Sequence, residues 1–251
     1  MAETRRRRRR LSPERRRLLL QTLGLIGVVA LLLWGADTMA RIGAQTLLSR
    51  NIQDATGVEV PPEVDVRGIF FLPQVIRGAY SEVHVTTGGV TGGPLRIDRV
   101  GSELFDVQVP FHDMLVRDIR RVGIGRSVEN LDLTYEDLNA YFAATGRRLA
   151  LAPGRDGAVR VTGNVEIANQ TVPLSADATL SVEGDALRIS PETLNTGSGS
   201  LDAASRLLLG KRLRLLVPLG TLPFGHQLTG VRADPDGVHL TATGTDIVVE
   251  P

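Results

Sequence analysis

Residues 18–36 read LLLQTLGLIGVVALLLWGA, and this uncharged stretch decides how the rest of the chain is arranged. As a helix, its 19 residues would rise about 28 Å, which is close to the hydrocarbon thickness of a bilayer. Nine arginines precede it, at positions 5–10 and 15–17. Because positively charged flanks stay on the cytoplasmic side, the sequence predicts a cytoplasmic head at 1–17, a transmembrane segment at 18–36, and all later residues outside the membrane.

A cleaved secretory signal is the alternative interpretation of the same stretch. Signal peptides have a shorter apolar core, of about 7–15 residues, followed by a small-x-small cleavage site. The nearest sequence of that kind, Thr38-Met39-Ala40, fits poorly. An uncleaved anchor is therefore the preferred prediction, and either interpretation exports the remainder of the chain.

Composition excludes several classes of function. The chain has no cysteine, so it has no disulfides, thiolate metal sites or cysteine nucleophiles. After residue 40 it carries 25 acidic and 20 basic residues, a mildly acidic balance that does not suit nucleic acid. The arginine run is better explained by membrane topology and by anionic lipid head groups.

The hydrophobic period changes after the transmembrane segment. Residues 37–57 have apolar side chains near helical spacing, which predicts an amphipathic helix connecting the membrane to a domain at 58–251. In that domain apolar residues alternate with small or polar ones, which predicts about a dozen half-buried antiparallel strands. Pairs that show the alternation are Val64/Val66, Val83/Val85, Leu95/Ile97, Val107/Val109, Leu131/Leu133, Val159/Val161, Leu187/Ile189 and Val238/Leu240.

Helices are predicted at three places within this β-rich region. One begins after Thr134, an N-cap with an acid three residues later, and stops at Gly146. The other two cover residues 201–212 and, with a weaker pattern, 112–122. So many strands would curl rather than form one flat sheet. The predicted fold class is therefore α+β, with a mostly antiparallel, strongly curved sheet and a few helices.

Catalytic chemistry is not apparent in the sequence. The four histidines, His84, His112, His226 and His239, are scattered and form no metal-binding spacing. Gly197-Ser198-Gly199-Ser200 lacks the pattern of a nucleophile elbow. The sequence thus predicts no enzyme, no metal site and no cofactor.

Two apolar segments stand out instead. Ile69, Phe70, Phe71, Leu72 and Pro73 follow one another between Gly68 and Gly78, and Leu222, Pro223 and Phe224 form a second cluster before Gly225. Both segments could be buried strand ends. Alternatively, exposed apolar loops on a tethered domain could reach a bilayer or border an apolar cavity.

These residues carry a family resemblance. The run from Gly68 to Gln74, with Gly78 and the strand after it, resembles the G-F-x-F-L-x-Q…G signature of LmeA-family phospholipid-binding proteins, with Ile69 where phenylalanine is usual. Leu222-Pro223-Phe224-Gly225, followed by Pro235-Asp236-Gly237-Val238, is similar to the closing motif of that family. The similarity extends over roughly residues 40–250, and Leu133-Thr134…Asp137-Leu138 resembles the start of the family's central helix.

The resemblance implies an exported envelope protein of high-GC Gram-positive bacteria that binds phospholipid in a β-structure wrapped on helices, similar to the tubular lipid-binding fold. It implies membrane phospholipids as partners, possible contacts with envelope biosynthesis proteins, and a lipid-binding role for the eight apolar residues at 69–73 and 222–224. Whether lipid is stored or moved stays open. The alternative function is a scaffolding protein of the envelope biosynthetic machinery that has no lipid ligand.

Overall fold

The computed structural model describes residues 13–56, 58–92, 94–110, 121–167, 170–196, 215–219 and 226–249. Its first element is one long helix, α1 (Pro13–Thr56). This helix covers the predicted transmembrane segment at 18–36 and continues without a break through the predicted connecting helix at 37–57 as far as Thr56. By length and composition, α1 is long and apolar enough to cross a membrane, a property that an N-terminal signal sequence also has.

The described strands form two antiparallel sheets. The first sheet has the order β1-β2-β3-β4-β11-β10, and the second has the order β5-β6-β7-β8-β9. Two shorter helices accompany them, α2 (Leu72–Arg77) and α3 (Tyr135–Ala144). The strands are β1 (Glu63–Arg67), β2 (Ala79–Gly92), β3 (Leu95–Gln108), β4 (Val122–Thr134), β5 (Leu149–Pro153), β6 (Val159–Ile167), β7 (Gln170–Glu183), β8 (Ala186–Thr196), β9 (Leu215–Pro218), β10 (Gln227–Ala233) and β11 (Gly237–Val249).

The predicted fold class is confirmed: the protein is α+β, with mostly antiparallel strands and one strongly curved sheet. The helix predicted after Thr134 is also present. Thr134 Oγ1 accepts a hydrogen bond from the Asp137 N–H at 3.1 Å, and the helix ends at Ala144, shortly before Gly146. The helix predicted at 201–212 lies outside the described residues. So does the helix predicted at 112–122, except for its last two residues, of which Val122 begins β4.

The main hydrophobic core lies between the two sheets and α3. Leu138 and Phe142 of α3 are fully buried in it. Strand alternation places one apolar face of each sheet toward the other, because successive side chains point to opposite faces. The core residues include Leu95, Ile97, Leu131, Leu133, Val159, Val161, Leu187, Ile189, Val217, Val238 and Leu240. This core uses only one half of the long strands β3, β4 and β11.

A line of backbone irregularities crosses the other half of the first sheet. Asp106 on β3 and Asp246 on β11 have φ values of 53° and 51°, and Gly125 on β4 lies between them in the register. A Cβ at Gly125 would come within 3.1 Å of Asp106 Cβ, so only glycine fits there without displacement. Interruptions of this kind bend strands and increase twist. The sheet therefore bends at this line, and its concave face turns toward α1.

Candidate functional site

An apolar cavity of about 400 Å³ lies between α1 and the concave face of the curled half-sheet. Its sheet wall comes from β1 to β4 and consists mainly of valines. Its helix wall consists of Ala44, Leu47, Leu48, Asn51 and Ile52. Among the lining residues, only Asn51 and Tyr80 carry polar side-chain atoms. The site can therefore hold an apolar group and offers it few hydrogen bonds.

Strand register explains the valine wall. Val64 pairs with Val85, and Val66 pairs with Val83, which in turn pairs with Leu104 on β3. Because paired residues on adjacent strands point to the same face, these side chains form continuous apolar rows across the sheet. The period-two pattern in the sequence thus specifies which of these valines share one face of the sheet.

The helix wall follows from helical spacing, and polar side chains attach it to β1. Residues 44, 47, 48, 51 and 52 lie on one face of α1. On its flank, Gln45 Nε2 donates to Asp65 Oδ1 at 3.1 Å, and Ser49 Oγ donates to the Pro62 carbonyl at 2.5 Å. The wall is incomplete, since Leu47 is 62% exposed although it borders the cavity. The cavity therefore opens to the outside along α1.

The structure separates the five apolar residues predicted at 69–73. Phe71 is 4% exposed, lines the cavity and lies 6.3 Å from Tyr80 between ring centroids. Ile69 and Phe70 are 87% and 54% exposed, Pro73 is exposed and Leu72 is half-buried. The other predicted residues, Leu222, Pro223 and Phe224, lie outside the described residues. One buried aromatic side chain thus stands beside a solvent-facing apolar group.

The glycine and glutamine of this motif have a structural role. We call residues 68–78 the tip segment. Gln74 Nε2 donates to the carbonyls of Arg67 and Phe70 at 3.2 and 3.0 Å, and its Oε1 accepts the Ser81 N–H at 3.2 Å. Gly68 has a φ of 132°, and a Cβ there would lie 2.3 Å from Gln74 Nε2. Glycine therefore makes room for the side chain that fixes the turn.

A carboxylate on α1 holds the tip segment in place. Asp37 Oδ2 accepts the Phe71 N–H at 2.9 Å, and Oδ1 accepts the Leu72 N–H at 2.7 Å. Arg41 Nη2 donates to the Gly68 carbonyl at 2.8 Å and lies 3.7 Å from Asp37 Oδ2. The hydrogen bond from Phe71 lowers the pKa of Asp37; burial opposes this, and Leu72 and Arg41 add to the lowering. The sequence offered only a weak signal for this role, an acid directly after an apolar span.

Most of the chain matches a known protein family. The model of the LmeA-like phospholipid-binding family matches residues 35–243, most of the chain. The chain belongs to the LmeA-like phospholipid-binding family. The match includes Asp37, the cavity and the tip segment of this LmeA-like protein, and it starts where the apolar span ends. No curated protein and no solved structure matches the chain.

A buried polar cluster lies next to the cavity of this LmeA-like protein on the same concave face. Ser127, which pairs with Leu104, is hydrogen-bonded to His226 Nε2, and Ser102 is hydrogen-bonded to Glu129. Glu129 Oε1 lies 3.5 Å from the same His226 nitrogen. Burial raises the pKa of Glu129, while the Ser102 hydrogen bond and the His226 charge oppose the shift.

The described members of this cluster are not arranged as in a serine hydrolase. In a catalytic serine relay, the acid holds the ring nitrogen that faces away from the serine. Here Glu129 and Ser127 approach the same nitrogen of His226, so Glu129 is not placed as the acid of such a relay. Among the residues that the structure describes, no group of three or more histidines and acids is spaced to hold a metal ion. The cluster provides polar groups beside an apolar cavity.

Proposed function

We propose that this protein is a membrane-tethered phospholipid-binding protein of the cell envelope that holds acyl chains in the cavity between α1 and the concave sheet. The observation that carries the proposal is the shared wall: α1 leaves the apolar span and becomes one side of an apolar cavity. In this proposal residues 1–17 are cytoplasmic, the span at 18–36 is retained, and the domain lies on the outer side.

The composition of the cavity favours an acyl chain. Removing a methylene group from water is favourable by about 0.8 kcal/mol, and binding sites for small molecules have volumes of about 300–1,000 Å³. The exposed Leu47 and Leu48 favour an occupant as well, because exposed apolar patches on a soluble surface mark sites of association. The head group would stay outside the cavity, in water. Such binding requires no catalytic group, so the protein is proposed to bind lipid without catalysing a reaction.

Filling the cavity tests the proposal. We expect Ala44→Trp to place an indole ring among the lining residues and to reduce the phospholipid that co-purifies with the full chain from bacterial membranes in mild detergent. Native mass spectrometry gives the number of lipids per protein. Thr46→Trp is the matched control, because Thr46 is exposed on the same helix and does not line the cavity. Lipid that surrounds the anchor is the same in both variants, so their difference reports the cavity.

Two results would count against the proposal. One is equal lipid content in Ala44→Trp and in the control, with matched thermal unfolding midpoints. The other is wild-type protein without bound phospholipid. Stoichiometric cross-linking to another envelope protein, combined with the absence of lipid, would favour the scaffolding function instead.

A further inference from the structure

We propose that the tip segment, residues 68–78, is a membrane-contact surface that inserts its exposed apolar side chains into the outer leaflet beside the anchor. The partner is thus a lipid surface, and the contact places the cavity next to the leaflet that would supply its ligand. This inference rests on the proposed function in one respect, the retention of the apolar span in the membrane.

Exposed apolar side chains are concentrated in this segment. Ile69, Phe70 and Ile76 are 87%, 54% and 67% exposed, and Pro73 is exposed beside them. Outside α1, the described part of the chain has only three other exposed large hydrophobic residues, Val60, Leu216 and Val248. These three belong to separate elements, whereas the tip segment groups its members within eight residues. A grouped apolar surface indicates a partner, and scattered residues do not.

The contacts along α1 place this segment at the level of the membrane surface. Ser49 contacts Pro62, and Gln45 contacts Asp65, four residues lower on the helix. Two further contacts lie progressively closer to the apolar span on α1: Arg41 contacts Gly68, and Asp37 contacts Phe71. Each step of about four helical residues is about 6 Å, so the chain descends along α1 toward the apolar span as it approaches the tip segment.

The last contact lies where the apolar span ends. Asp37 directly follows Ala36, and both of its carboxylate oxygens hold the first turn of α2. The tip segment is therefore fixed within about one helical turn, or about 5 Å, of the end of the span. At that depth, apolar side chains enter the region between the head groups and acyl chains, as in interfacial membrane anchors. Arg77, exposed in the last turn of α2, adds a positive charge suited to anionic head groups.

Phe71 connects this surface to the cavity. Its ring lines the cavity wall, while its neighbour Phe70 faces outward. Ala44, the lining residue of α1 that comes first along the chain, lies seven residues beyond Asp37, or about 10 Å farther along the helix. The distance from the leaflet to the cavity is thus shorter than one acyl chain.

Depth-dependent quenching tests the inference. Trp34 is the only tryptophan, so Trp34→Phe gives a silent background in which Phe70→Trp or Ile69→Trp reports one position. The full chain is reconstituted in vesicles containing phospholipid brominated on its acyl chains. We expect the emission of both reporters to shift to shorter wavelength and to lose intensity. Val60→Trp is the control: Val60 is also exposed, but its neighbours contact Gln53 and Ser49, about 18–24 Å above Asp37.

Quenching of Ile69→Trp and Phe70→Trp no stronger than that of Val60→Trp would overturn the inference. Either reporter alone is sufficient if the other variant fails to fold, which circular dichroism would show. Lipid content by native mass spectrometry distinguishes this result from failure of the proposed function. If phospholipid is bound but the tip reporters are not quenched, the membrane contact is wrong and the proposed function stands. If the tip reporters are quenched but no phospholipid is bound, the proposed function is wrong and the membrane contact stands.

Discussion

The Asp37 carboxylate accepts the backbone N–H of Leu72 at 2.7 Å, although 35 residues separate them. The first turn of a helix has unpaired N–H groups, and a side chain just before the helix usually satisfies one of them. In α2 the N-cap residue is Phe71, whose side chain cannot do so. The cap comes instead from Asp37 of α1, which ties the tip segment to the end of the apolar span.

Replacing this cap should loosen the tip segment. We expect Asp37→Ala to speed hydrogen exchange at the amides of Phe71 and Leu72 while the sheet amides keep their protection. Asp37→Asn should give an intermediate effect, because its single amide oxygen can replace only part of the carboxylate. Hydrogen exchange by mass spectrometry over 68–78 measures both. Unchanged exchange in Asp37→Ala would contradict the role of this carboxylate.

Adjacent phenylalanines should differ sharply in their effect on stability. Phe71 is buried against Tyr80, so Phe71→Ala should destabilise the domain by about 3 kcal/mol. Phe70 is more than half exposed, so Phe70→Ala should change the free energy of unfolding by no more than about 0.5 kcal/mol. Urea unfolding in detergent, followed by circular dichroism, compares the two. Equal losses would mean that Phe70 is buried too.

The curl of the first sheet should depend on Gly125. A side chain at this position would meet Asp106 Cβ at 3.1 Å, and we expect Gly125→Ala to cost about 1–2 kcal/mol in the free energy of unfolding. Gly123 on the same strand is the control, since a Cβ there would lie 3.7 Å from Gln108 Cβ, an ordinary contact. Gly123→Ala should leave the free energy of unfolding nearly unchanged. Equal changes in the free energy of unfolding for Gly125→Ala and Gly123→Ala would show that Gly125 is not tightly packed against Asp106.

His239 should make stability depend on pH. Its Nδ1 lies 2.6 Å from Asp132 Oδ1 and its Nε2 lies 2.9 Å from Asp234 Oδ2. Burial favours the neutral ring, but the two carboxylates outweigh burial and raise the pKa of His239 above its ordinary value of 6.5. The close approach of the His239 ring is also the main reason that the pKa of Asp234 is lowered.

The sign follows from this shift. A pKa raised by folding stabilises the protein fully below 6.5, and the contribution is lost as the pH rises through the folded-state pKa. We expect the thermal unfolding midpoint to fall as the pH rises above about 6.5 and through the folded-state pKa of His239, and His239→Gln to flatten that dependence. Asp132→Asn should weaken it without removing it. If the unfolding midpoint of His239→Gln varied with pH as in the wild type, other groups would be responsible for the pH dependence.

Much of the fold could be predicted because its signals are local. Alternation over two residues placed Val83 and Val85 on one face, and the cap at Thr134 identified α3. Which residues of 69–73 are buried and which are exposed could not be predicted, because consecutive apolar residues show no periodic pattern. What decides it is the start of α2 and its cap, and that cap is supplied from a distant part of the chain.

The cavity also could not be predicted from the sequence, for a similar reason. It exists because the sheet curls at Asp106, Gly125 and Asp246, positions that look like ordinary turn-forming residues when read in order. The helix wall was visible as an apolar stripe at 37–57. Whether that stripe faced lipid, the domain core or a cavity depended on the shape of the sheet opposite.

The unbroken α1 limits how the domain moves. The 20 helical residues after Ala36 extend about 30 Å, and a continuous helix has none of the slack of a flexible linker. If the span stays in the membrane, as we propose, α1 holds the domain at a fixed height above the bilayer. The domain then searches for partners by diffusing in the plane of the membrane rather than by sampling a volume around its attachment point. On that proposal, the domain would meet only molecules within a thin layer beside the membrane, and any partner farther away would have to reach that layer.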